Sequence, residues 1–144
     1  MDLLTKFTPN QLVISKDGKL FMQKKAEKQD LNHRLEIIIE AIRNLKGHNI
    51  TDIDIAKLNS TVCRHYIICD APSGVQVKAI SDEIEDQLFD KFQKKALHKE
   101  GVHNSIWILL DYADVIVHVF KTEAREFYKL EELWADGIVK KINS

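Results

Sequence analysis

Apolar and polar positions alternate along this chain with periods that change from helix to strand and back. Residues 1–29 carry the weakest pattern. Leu12-Val13-Ile14 suits a short strand, and Lys16-Asp17-Gly18-Lys19 is a turn signal leading to Leu20-Phe21-Met22. The stretch reads as a small hairpin or as a flexible extension, with Lys24, Lys25 and Lys28 in a solvated linker. From Asp30 the period becomes helical: Leu31, Leu35, Ile38, Ile42 and Leu45 share a face, Asp30 or Asn32 suits the cap, and Gly47 suits the C′ position. Ile53 and Ile55 then alternate with Asp52 and Asp54, a strand with one wet face, and Tyr66-Ile67-Ile68-Cys69 reads as a central strand. After the loop Asp70-Ala71-Pro72-Ser73-Gly74, a capping box of Ser73 and Gln76 opens a helix to about Leu97, with Val77, Ile80, Ile84, Leu88 and Phe92 inward and Glu100-Gly101 closing it off. Trp107 to Phe120 is a period-two hairpin turning at Tyr112-Ala113, and an amphipathic helix runs on to Trp134.

The pattern therefore predicts an α/β fold, a single domain over residues 30–137 with helices packed on a mixed β-sheet. An extension (residues 1–29) and a tail (residues 138–144) flank it. A crossover between Tyr66 and Ile106 is long enough to join parallel strands.

The stretch WILLDYADVIVHVFKTEAREFYKLEELW, Trp107 to Trp134, resembles the signature of the ribosomal silencing factor (Iojap-like) family. In that family a W-x-x-x-D-x-x-D-V-x-V-H hairpin precedes a helix reading R-x-x-Y-x-L-E-x-L-W. The similarity extends back to about Leu31. His65-Tyr66-Ile67-Ile68-Cys69 stands where members have a D-Y-F-V-I-A-like strand, and Val75, Gln76, Val77, Ala79 and Ile80 match a Q-V-x-A-I helix. Two positions depart: only Ser73 survives of the family's S-G-T-S loop, and Ala113 replaces a habitual glycine, which puts a type I′ turn in doubt because alanine disfavours positive φ. The resemblance implies a nucleotidyltransferase-like topology without the active site. It also implies a translation repressor that binds the large ribosomal subunit at ribosomal protein L-fourteen and sterically blocks association with the small subunit under nutrient limitation. It implies no catalysis.

Composition narrows the partners. A net charge of −1 gives no general pull toward nucleic acid, so little direct rRNA contact is expected and a protein patch is the expected target. No apolar run approaches the roughly 20 residues that span a bilayer, and a membrane role is not expected. Cys63 and Cys69 lack CxxC spacing and read as reduced strand residues in a cytoplasmic protein.

The candidate chemistry is sparse, and no catalytic, cofactor or metal residue is assigned. Asp52-x-Asp54 places two carboxylates on one strand face, as metal-dependent nucleotidyltransferases do, but Lys46-Gly47-His48-Asn49 before it lacks their Gly-Ser turn. A divergent nucleotidyltransferase using Asp52 and Asp54 is the enzyme alternative; a homodimeric interaction module with no ribosome role is the other, and a homodimer is compatible with silencing too. The histidines, His33, His48, His65, His98 and His103 among them, lack metal spacing. Phe120, Phe127 and Leu130 have spacing that suits the core. Trp107 and Trp134 stand at the rim, either covering a core edge or serving as interface anchors. Under the family reading Trp107, Leu109, His118 and Trp134 are candidate anchors, and Asp111, Asp114 and Glu131 are candidate charge partners for a basic ribosomal-protein surface. The bland alternatives are that Asp111 and Asp114 bind turn amides and that His118 is a structural strand residue.

Overall fold

A computed structural model of the protein describes residues 16–58, 63–133 and 136–142. In chain order its elements are α1 (Lys16–Asn44), β1 (His48–Asp54), β2 (His65–Ala71), α2 (Gly74–Phe92), β3 (His98–Glu100), β4 (Trp107–Asp111), β5 (Val115–Lys121), α3 (Thr122–Tyr128), α4 (Leu130–Leu133) and β6 (Ile138–Ile142). The chain divides into two units, Met1–Glu36 and Ile37–Ser144.

In the first unit, α1 already runs at Lys16, so Lys16-Asp17-Gly18-Lys19 is helical and the expected hairpin does not form. Leu12-Val13-Ile14 lies outside the described residues. One glycine costs a helix about 1 kcal/mol, and here strong helix formers such as Lys, Leu, Met, Gln and Ala surround it. Asp30 is not a cap either: it lies within α1, where its carboxylate pairs with Arg34 Nε at 2.9 Å, one turn along.

In the second unit, α1 ends in a Schellman motif. The N–H of Lys46 donates to Arg43 O and that of Gly47 to Ile42 O, both at 2.9 Å. Lys46, at φ +60°, takes the left-handed position that the pattern assigned to Gly47. Gly47 is needed one residue later for room, because a Cβ there would stand 2.4 Å from Ile42 Cγ2. The capping box is half realised. Ser73 Oγ accepts from Gln76 N–H, but the Gln76 amide donates to the Leu45 and Lys46 carbonyls at 2.9 and 3.2 Å and so satisfies the end of α1 instead. α2 stops at Phe92, short of Leu97, because Gln93 turns left-handed (φ 56°) and closes the helix onto Leu88 O and Phe89 O. The residues beyond join the sheet. Gly101, at φ +79°, passes so close to β4 that a Cβ would lie 1.8 Å from Trp107 O.

The six strands order as β3-β4-β5-β2-β1-β6. β2 and β5 are parallel, as the α2 crossover requires, and the other neighbouring pairs are antiparallel. The sheet is thus mixed and the fold α/β, with two strands, β3 and β6, that the periodicity did not reveal. α2 packs against β2, β4 and β5, over the fully buried Ile67, Cys69, Val115, Val117, Val119, Ile108 and Leu110. A second core on the other face gathers Ile53, Ile55, Cys63, Ile68, Phe120, Ala124 and Leu130. The expected single helix to Trp134 is two, α3 and α4, broken at Lys129 (φ 47°), whose N–H returns to Arg125 O.

Candidate protein-docking face

Strand register decides which side chains stand together. Trp107 pairs with Phe120, Leu109 with His118 and Asp111 with Ile116. In turn Ile116 pairs with Tyr66 and His118 with Ile68. Alternation therefore puts Trp107, Leu109, Asp111, Ile116, His118, Phe120, Tyr66 and Ile68 on the face opposite α2. α3 and α4 cover only part of it. Phe120 and Ile68 are fully buried, while Trp107, Leu109, Asp111, Ile116 and Tyr66 stay half-buried.

Aromatic rings run across this face in contact. Phe127 meets Tyr128 edge-on at 5.1 Å, Tyr128 meets Trp107 at 5.0 Å, Trp107 stacks on Phe120 at 4.7 Å, and His118 meets Tyr66 edge-on at 5.4 Å. Phe127 is 77% exposed, not in the core as its spacing had suggested, and Tyr128 is also exposed. The α3 turn carries Ala124 and Arg125 inward, which leaves Phe127 and Tyr128 on the outside.

His118 lies in the middle of this surface. The Trp107 indole N–H donates to its Nδ1 at 3.0 Å, and its Nε2 has no hydrogen-bond partner among the described residues. Burial pushes the ring's pKa down to about 4, so the imidazole is neutral.

The carboxylates divide by what they touch. Asp111 Oδ1 accepts the Ala113 N–H at 2.8 Å, whereas at Asp114 it is the backbone carbonyl, not the carboxylate, that receives the Arg64 and His65 N–H groups. Both are half-buried beside the hairpin turn. Ala113 sits at φ +73° with the Asp114 N–H on Tyr112 O, a γ-turn of positive φ rather than the type I′ turn. Glu131 Oε2 receives Arg125 Nε and its neighbouring amino group, both at 3.0 Å. Trp134 lies outside the described residues.

Asp52 and Asp54 are engaged as well. Asp52 Oδ1 lies 2.7 Å from His65 Nδ1, and Asp54 Oδ1 accepts the Ala56 N–H. Burial alone would lower the His65 pKa, but the hydrogen bond and charge of Asp52, with Asp54 and Asp114 nearby, outweigh it and raise the value. Among the described residues no group of three His, Cys, Asp or Glu side chains is placed to hold a metal ion. Both cysteines are buried and free, and burial raises their thiols to about 11 (Cys63) and about 12 (Cys69), which leaves them inert as nucleophiles.

One cluster was missed altogether. Arg125, 9% exposed at its side chain, bonds Asp70 Oδ2 at 3.0 Å, Thr51 Oγ1 at 3.0 Å and the Asn49 carbonyl, besides Glu131. Asp70 also accepts from Thr122 Oγ1 and Asn49 Nδ2. These groups line a cleft of about 710 Å³ between the β1–β6 edge and α3–α4. Partners 55 residues apart leave no local signal in the sequence.

Residues 28–144 match the family model described as "Ribosomal silencing factor during starvation". The chain belongs to the ribosomal silencing factor family. It is similar to ribosomal silencing factor RsfS of Bacillus subtilis, with 36% identity over 72% of this chain and 86% of that one. It is also similar to the chloroplastic protein Iojap of Zea mays, with 38% identity over 60% of this chain and 38% of the relative. Among solved structures, a Chromobacterium violaceum protein superposes with a TM-score of 0.68 at 31% identity, covering 72% of this chain and 85% of its own. A Bacillus halodurans protein gives 0.65 at 26% identity, covering 81% and 99%. In this ribosomal silencing factor family member, then, the partly open sheet face carries a run of aromatic rings in contact.

Proposed function

We propose that this silencing factor acts by occupancy, without catalysis, in the cytoplasm. The half-open sheet face docks on ribosomal protein L-fourteen of the large subunit. The bound protein then blocks association with the small subunit and lowers translation when nutrients are short. The observation that carries this reading is the continuous run Phe127–Tyr128–Trp107–Phe120 beside Tyr66, Leu109 and Ile116, with its outer members exposed. Aromatic surface gathered in one place on a chain with a net charge of −1 suits a protein partner better than rRNA phosphate. Trp107, Leu109 and His118 lie within that surface, with Trp134 the remaining anchor proposed from sequence. Asp111, Asp114 and Glu131 stand as acidic partners for a basic surface, orienting the encounter and giving it salt dependence. A standard interface of about 1,600 Å² suffices to exclude a competing subunit.

The docking reading is preferred to the enzyme alternative because the Oδ1 atoms of Asp52 and Asp54 already meet His65 Nδ1 and the Ala56 N–H, and the residues before them lack a Gly-Ser turn. Sedimentation of the protein with purified large subunits tests the reading. Co-sedimentation with large and not small subunits, weakened when Phe127 is replaced by Ala, is expected. Equal recovery with both subunits, or with neither, refutes it.

A further inference from the structure

The hydrogen-bond pattern of His118 leaves one polar atom unexplained. An indole nitrogen can only donate, so the contact from Trp107 Nε1 makes His118 Nδ1 an acceptor and places the ring proton on Nε2. That Nε2–H is buried and meets no acceptor among the described residues, although buried N–H groups are almost always paired. It belongs to the middle of the docking face, on strand β5. Its neighbours there, Tyr66, Trp107 and Leu109, are half-buried, and among the described residues neither the Tyr66 hydroxyl nor any other oxygen accepts from it.

Resting on the docking reading above, we propose that His118 is the polar specificity residue of that face. Its Nε2–H donates to an acceptor oxygen, a backbone carbonyl or carboxylate, that the partner protein brings to the face beside Tyr66 and Leu109. Apolar and aromatic contact gives such a face its area but discriminates weakly among partners. A buried donor instead rejects any partner that leaves it unpaired. Trp107 acts as the positioning residue, since its N–H fixes the tautomer that makes Nε2 a donor. Tyr66 and Leu109 adjoin His118 and are both partly exposed, so their side chains are free to change rotamer on docking.

Two isosteric substitutions separate the two ring nitrogens. His118→Asn keeps an acceptor near the Nδ1 position for Trp107 and removes the Nε2 donor. His118→Gln places an amide N–H near the Nε2 position. Binding to purified ribosomal protein L-fourteen should fall by about 10- to 100-fold for His118→Asn and by no more than about threefold for His118→Gln. In wild-type protein labelled with ¹⁵N-histidine, the Nε2–H proton resonance should move downfield and exchange more slowly on adding L-fourteen. This readout needs no variant to fold. An Nε2–H resonance identical in free and bound protein, or His118→Asn binding as tightly as wild type, overturns the donor role while leaving the docking reading in place. Failure of the wild-type protein to bind L-fourteen overturns both.

Discussion

Replacing Arg125 by Met would expose how much of this fold hangs on one buried ion pair. The guanidinium bridges α3 to β1, β2 and α4 through Asn49, Thr51, Asp70 and Glu131. Without it, the Asp70 carboxylate, 2% exposed at its side chain, keeps among the described residues the Thr122 hydroxyl and the Asn49 amide. Two neutral hydrogen bonds do not offset the desolvation of a buried charge, and breaking such a pair from one side costs about 3–5 kcal/mol. For a chain of 144 residues each kcal/mol lowers the melting temperature by about 4 °C, so a drop of about 12–20 °C is expected. The assay is urea and thermal unfolding followed by far-ultraviolet circular dichroism. Asp70→Asn combined with Arg125→Met should recover part of the loss, because it removes the stranded charge. Glu131, 35% exposed, should matter far less: Glu131→Gln should cost under about 1 kcal/mol. A loss below about 1 kcal/mol for Arg125→Met would refute the reasoning, and would mean that water entering the 710 Å³ cleft solvates Asp70.

Two further predictions concern the hairpin and pH. Ala113 sits at φ +73° in the γ-turn, so Ala113→Gly should raise stability by about 0.5–1 kcal/mol in urea unfolding despite the added chain entropy; a destabilised variant would contradict the turn geometry. The His118 pKa falls from 6.5 to about 4 on folding, so the unfolded chain binds the proton first as pH drops. Its contribution to stability is complete above pH 6.5 and declines as pH falls toward 4, by about 2 kcal/mol at pH 5. His65 works in the opposite sense, since its raised pKa contributes stability below the unfolded value that is lost as pH rises through the folded one. The difference between wild type and His118→Gln at pH 7 and pH 5 therefore isolates His118, and equal pH slopes for the two would contradict its buried neutral state.

Strong periodicity in the sequence translated directly into structure wherever side chains decided the conformation. Trp107-Ile108-Leu109-Leu110 alternates half-buried and buried as its period-two pattern predicts, and Val77, Ile80, Ile84 and Leu88 line the inner face of α2. Sequence failed where backbone geometry decided instead. The edge strands β3 and β6, with exposed residues such as Ile138 and Val139, are held by ladder hydrogen bonds that leave no hydrophobic pattern. Lys46, Gln93 and Lys129 end helices in the left-handed conformation without the glycine that would announce it. Of the candidate site, the strands brought Trp107, Leu109, Asp111 and His118 onto one face, as register demands. The contribution of Tyr66, Phe127 and Tyr128 depends on how β2 and α3 lie beside that hairpin, which no local motif encodes.

The central claim, occupancy through the aromatic face, is tested most directly by subunit joining. Purified large and small ribosomal subunits are mixed with increasing protein, and joining is followed by light scattering. Trp107→Ala is a poor probe, because Trp107 also packs on Phe120 and bonds His118. Phe127, 77% exposed, can be replaced by Ala with little effect on folding. Dose-dependent loss of joining by the wild-type protein, requiring at least about tenfold more of Phe127→Ala for the same effect, is the expected result. Joining unchanged at an excess of wild-type protein, or blocked equally by Phe127→Ala, would contradict docking through this face.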